Sequence, residues 1–149
     1  MKIDTSHAFP PLEAQRPHFH AQSHVHITTV QHDWSGRKLS PSRETRIRLV
    51  LQENSLLLEW RAPNLNNQSP RETPGALWRL WEHDVVEMFF ASTDERYLEV
   101  EFGPHGHYLG LQMHGVRAPV TKLLPLRFHL TGKDDSWWSG RAHIPLSFL

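Results

Sequence analysis

WEHDVVEMFFASTDERYLEVEFGPHGHY, residues 81–108, is the stretch from which the fold is read. A short acidic run, Glu82–Asp84, leads into Val85–Ala91. Ser92–Arg96 connects that run to Tyr97–Phe102, and Gly103-Pro104 turns the chain. Both runs have strand length and are rich in β-branched and aromatic residues. Side chains alternate across a strand, so Leu98, Val100 and Phe102 share one face, and Tyr97, Glu99 and Glu101 the other. In the first run Val86, Met88 and Phe90 oppose Val85, Glu87 and Phe89. Pairing Ala91 with Tyr97 sets Glu87 opposite Glu101 and Phe89 opposite Glu99. Like charges directly opposed across strands are destabilising. Two accounts remain open: a solvated face whose long side chains splay into water, or the floor of a groove whose ligand supplies hydroxyls or positive charge.

Working outward, the length of 149 residues fits one domain with a real core. Sixteen basic and sixteen acidic residues give a formal charge of zero. No basic excess or basic run stands out, so neither a nucleic acid nor an anionic membrane is expected as a partner. Cysteine is absent, which excludes disulfides, thiolate metal sites and cysteine nucleophiles. The first residues carry no apolar run like a signal peptide, and no run has the apolar length of a membrane span. The expected location is cytoplasmic by default, and secreted or periplasmic if a leader was removed. Eleven prolines and eight glycines favour strands and turns over long helices.

Residues 1–22, with Pro10, Pro11 and Pro17, read as an extended arm, and 23–149 as the domain. Strands are expected at His24–Gln31, Arg43–Gln52, Ser55–Ala62, Tyr108–Val116, Leu123–Leu130 and Trp137–Ile144, besides the central hairpin. The clearest hairpin joins Arg43–Gln52 to Ser55–Ala62 through Glu53-Asn54, with Leu56, Leu58 and Trp60 facing inward. Pro63–Gly75 is a polar loop longer than most connections. About seven short strands at this spacing predict an all-β fold, an immunoglobulin or jelly-roll-like sandwich of two antiparallel sheets.

Trp81-Glu82-His83-Asp84-Val85-Val86-Glu87 resembles the W-E-x-D-x-V-E signature of family 9 carbohydrate-binding modules. Tyr97-Leu98-Glu99-Val100-Glu101-Phe102-Gly103-Pro104-His105-Gly106 is similar to a run in bacterial DOMON-like proteins. The resemblance implies a sandwich that binds a mono- or oligosaccharide without turnover. It implies stacking on Trp81 and hydrogen bonding to Glu87. By strand parity Tyr97, Glu99, Glu101, Tyr108 and Gln112 are expected to line the same side. The sequence departs from the family in carrying glutamates at 99 and 101, where the family has a basic residue and an amide. A second stacking tryptophan is also missing, with Trp34, Trp137 and Trp138 as substitutes. The chain ends at Pro145–Leu149 where the family continues, which suggests a C-terminally shortened sandwich with an exposed edge that favours homo-oligomers. The contrasting reading is a structural or interaction domain of the same fold that has lost its sugar site.

His18, His20, His24 and His26 form an HxHxxxHxH run able to chelate a transition metal, though surface histidines in a His-rich chain account for it better. Haem binding through Met and His has no attachment motif, and Met88 and Met113 read as core. Glu87 with Glu99 or Glu101 resembles a glycosidase carboxylate pair, but no apolar setting that would raise one pKa is visible. The expectation is therefore no catalytic residues, no metal site and no cofactor.

Overall fold

The computed structural model describes residues 24–33 and 35–149. Within them lie nine strands: β1 Val25–Val30, β2 Thr45–Leu51, β3 Ser55–Pro63, β4 Val86–Ala91, β5 Arg96–Phe102, β6 Tyr108–His114, β7 Pro119–Lys122, β8 Arg127–Lys133 and β9 Trp137–Pro145. Five pair in the order β1-β2-β3-β9-β8 and four in the order β4-β5-β6-β7, all antiparallel. The protein is thus an all-β sandwich of two antiparallel sheets, as the alternation requires. Among the described residues no helix is long and apolar enough to cross a membrane. The arm expected at 1–22, with His18 and His20, lies outside the described residues, as does Trp34.

Each sheet buries the face that its alternating apolar residues select. Leu58, Trp60 and Ala62 of β3 and Trp138, Ala142 and Ile144 of β9 meet Leu98, Val100 and Phe102 of β5. Cross-strand pairing sets Trp60 beside Gly140 and Leu58 beside Ala142, a large residue against a small one each time. The Trp60 ring lies 4.6 Å from Phe102 and 5.6 Å from Phe128, centroid to centroid, and meets Trp138 edge-on. Burying side chains of this size contributes about 1.5–3 kcal/mol each, so this layer carries most of the stability.

One expectation is corrected. Leu123–Leu130 is not one strand: β7 ends at Lys122, Leu123 adopts left-handed backbone at φ 57°, and Leu124 and Leu126 drop into the core before β8. Pro125 between them has no amide hydrogen to offer a ladder. The last strand is not an edge of its sheet. β9 lies between β3 and β8 inside its sheet, and Phe148 beyond it packs on the core.

The connection from β3 to β4 closes over the outer face of the four-stranded sheet. Leu109, Leu111 and Met113 of β6 form an apolar cluster with Leu80, against which Leu77, Val85 and Tyr97 pack. Tyr108 donates its amide to the Gly75 carbonyl, and Leu77 donates to the Tyr108 carbonyl, both at 2.9 Å. Arg79 takes left-handed backbone at φ 67°; Leu80 is buried, whereas Trp78 and Trp81 stay outside. Side chains pin the rest of the connection. Asn64 donates to the Asp134 carbonyl at 2.6 Å, and His107 Nε2 donates to the Glu72 carbonyl at 3.0 Å.

Candidate functional site

The register of β4 and β5 is the one the hairpin reading requires: Ala91 with Tyr97, Phe89 with Glu99, Glu87 with Glu101. Three carboxylates therefore share the outer face of the four-stranded sheet. One oxygen from each of Glu87, Glu99 and Glu101 lies within 4.8 Å of the other two. Their burial is graded. Glu87 is exposed, Glu99 is half-buried and Glu101 is 0% exposed, flanked across the strands by Glu87 and Leu109.

Both oxygens of Glu101 are buried without a hydrogen-bond partner. Glu99 can bond to it only if one of the two carboxyls carries a proton, because ionised carboxylates are acceptors only. Among the described residues, every ion pair of a lysine or arginine is made elsewhere. Burial first, then the shared proton with Glu99 and the charges of Glu87 and Glu99, push the Glu101 carboxyl up to about 8. Burial and the charge of Glu99 also raise Glu87. Acidic side chains on a sheet surface normally solvate; this trio instead holds one of its members out of water with no cation beside it and only carboxyls as polar neighbours.

The other residues expected at the site divide. Tyr97 is on the same face, half-buried, with its ring 6.1 Å from Phe89. Trp81 sits in a single 3-10 turn, Leu80–Glu82, is 43% exposed, and meets Trp78 edge-on at 5.1 Å. Lys122 lies over the Trp78 ring at 4.4 Å. Tyr108 and Gln112 are corrected to the opposite face. Tyr108 pairs with Phe102 and Gln112 with Leu98, so both point between the sheets. Tyr108 packs on the central core, and Gln112 donates to the Phe148 carbonyl at 3.2 Å. Trp138 is core and Trp137 lies on the other sheet, so neither supplies a second aromatic beside Trp81.

The histidines serve other ends. His24 and His26 are exposed near β1, at the edge of the five-stranded sheet. His105 donates from Nε2 to the Asn67 carbonyl at 3.3 Å and, with His107, anchors the long connection. The buried, unpartnered His107 Nδ1 belongs to a residue lining a cavity of about 10 Å³, room for a single water. Met113 is buried and Met88 half-buried in apolar surroundings, as expected of core residues.

The chain is similar to the UPF0462 protein C4orf33 homolog of Danio rerio, 34% identical over 123 residues that cover 80% of this chain and 61% of that protein. The UPF0462 protein C4orf33 homolog of Rattus norvegicus is 36% identical with the same coverage, and UPF0462 protein C4orf33 of Homo sapiens 33%. The chain spans about three fifths of the length of these curated relatives. No family model and no solved structure matches the chain. These vertebrate relatives overturn the assignment to bacterial DOMON-like proteins and family 9 carbohydrate-binding modules. The sugar-binding reading built on Trp81 and Glu87 falls with it. The relatives' names lend no support to its alternatives, a lost sugar site or metal and haem binding through the histidines.

Proposed function

We propose that the protein is a divalent-cation-binding domain whose ligands are Glu87, Glu99 and Glu101. The observation that carries this reading is Glu101, wholly buried, with no N–H or hydroxyl donor at either oxygen and two further carboxylates beside it. Carboxylate oxygens suit the hard cations Ca²⁺, Mg²⁺ and Mn²⁺. A Ca²⁺ ion holds oxygens at about 2.3–2.6 Å, which sets opposite ligands roughly 5 Å apart; the separations within the trio fall inside that span. Glu101 and Glu99 on β5 and Glu87 on β4 are fixed by ladder hydrogen bonds, so little ordering entropy is lost on binding. The exposed side of Glu87 leaves room for waters to complete the shell. Two positive charges offset most of the repulsion that the hairpin otherwise sustains.

The test is the thermal unfolding of the full chain at pH 7.5, with EDTA or with 1 mM Ca²⁺, Mg²⁺ or Mn²⁺. At least one cation is expected to raise Tm by several degrees, as binding at one hundred times Kd stabilises by about 2.7 kcal/mol. Glu99→Gln is expected to abolish that rise. Identical melting curves in EDTA and in all three cations sink the proposal.

A further inference from the structure

The outer face of the five-stranded sheet carries the opposite charge. Strand pairing brings Arg46 and Arg48 of β2, Arg61 of β3, Arg141 of β9 and Arg127 of β8 onto that face. Within the strands Glu59 is the only acid on that face by parity, Glu44 flanks Arg46 just before β2, and His129 and His143 lie between the arginines. Five arginines against Glu59 and Glu44 leave three positive charges in excess with both histidines neutral. Glu59 is already engaged: Arg48 Nη1 donates to one of its oxygens at 2.6 Å and Arg141 Nε to the other at 2.9 Å. That arrangement leaves Arg46, Arg61 and Arg127 outside the ion pairs of the described residues.

Arg46 and Arg61 are direct cross-strand partners. Such a like-charge pair costs stability unless something negative lies over it. Burial, then Arg141, Arg127 and His129, lower the pKa of His143, consistent with a positive field over this face. Planar groups are interleaved with the charges. The Arg61 guanidinium stacks 4.5 Å over the Trp137 ring, and His129 is exposed beside Arg141.

We propose that this face docks single-stranded nucleic acid, its phosphates held by Arg46, Arg127 and the edge of Arg61, and its bases resting on the Arg61 guanidinium plane that Trp137 backs and on the histidines. Charge complementarity selects a polyanion. An open sheet surface with rings between arginines is the arrangement on which unpaired bases stack without sequence preference. An acidic peptide would use the same charges but leave the rings without partners. The formal neutrality of the chain conceals the surface, because its acids gather elsewhere, three of them on the other sheet.

The test is fluorescence anisotropy of a labelled twelve-nucleotide oligouridylate titrated with the full chain at 50 mM salt. A labelled oligoglutamate of equal charge is run beside it. Saturable binding to the oligonucleotide is expected, with log K falling against log salt at a slope of about −2 to −3, as three or four neutralised phosphates require. Arg46→Glu with Arg127→Glu, both exposed positions, is expected to weaken binding at least tenfold, while Arg127→Lys retains most of it. Circular dichroism of the double variant verifies the fold. A variant that loses the native spectrum passes the decision to Arg127→Gln alone, expected to weaken binding about threefold. Equal affinity for oligoglutamate, a flat salt dependence or no binding at 50 mM salt each overturns the proposal.

Discussion

Glu101→Gln is expected to be more stable than the wild type at pH 8 in metal-free buffer, and to lose the stabilisation that a divalent cation gives. The sign follows from proton linkage. Glu101 titrates near 4.5 in the unfolded chain and is pushed up to about 8 in the folded one. Below the lower value both states hold the proton, and the group has no effect. Between the two values the folded state keeps a proton that the unfolded state has released, so stability falls as pH rises through that window. Above 8 the full penalty remains. Each pKa unit corresponds to about 1.4 kcal/mol, and since three carboxyls share the repulsion, the loss between pH 5 and pH 8.5 is roughly 3 kcal/mol.

Glutamine matches the shape of the carboxyl, carries no charge, and its amide can donate to the carboxylates of Glu87 and Glu99. Urea unfolding at pH 5, 7 and 8.5 in EDTA checks this. The wild type should weaken steadily with pH and the variant much less. Saturating cation should flatten the wild-type profile by replacing the proton, and leave the variant unchanged. A wild-type stability independent of pH in EDTA would mean that the buried carboxyl ionises without cost, and the basis for the cation site would be gone.

The hairpin that carries the acidic trio was legible because its information is local. Alternation picks the faces, and the Ser92–Arg96 connection sets the register that places Glu87 opposite Glu101. One strand further on, legibility failed. Tyr108 and Gln112 belong with Tyr97 by eye, yet pairing Glu101 with Leu109 sends them to the other face. A turn's register decides that, and the Gly103–His107 turn offers more than one. The burial of Glu101 was hidden for a similar reason: the apolar cluster beside it includes Leu80, which arrives from a connection with no periodic pattern. The basic face is the extreme case. Arg46, Arg61, Arg127 and Arg141 come from four different strands, so no run in the sequence marks them. Short runs such as Trp81–Glu87 misled in the opposite direction. An acidic turn entering an alternating strand meets the physical needs of many hairpins, so likeness there reports geometry more than descent.

Gly140→Ala is expected to destabilise the protein by about 3 kcal/mol, against the usual trend for this substitution. Where the backbone allows it, replacing glycine by alanine stabilises by roughly 0.4–1 kcal/mol through the unfolded chain. Gly140 lies in β9, paired with Trp60 on one side and Leu130 on the other, so its backbone cannot yield. A methyl there would overlap Trp60 Cζ2 and stand 2.8 Å from Trp60 Cε2 and 2.9 Å from Phe128 Cε2. The indole cannot retreat, because Phe102 and Phe128 stack against it and Trp138 meets its edge. Relief requires the sheets to part or the ring to leave its rotamer, and overpacking of this kind costs about 1–3 kcal/mol or more. Trp60→Phe removes the offending atoms at its own cost, so in the Gly140→Ala background part of the loss should return. A double-mutant cycle by urea unfolding reads that coupling directly. Strict additivity would mean that the ring is not the obstacle, and that the close approach of β9 to β3 has another cause.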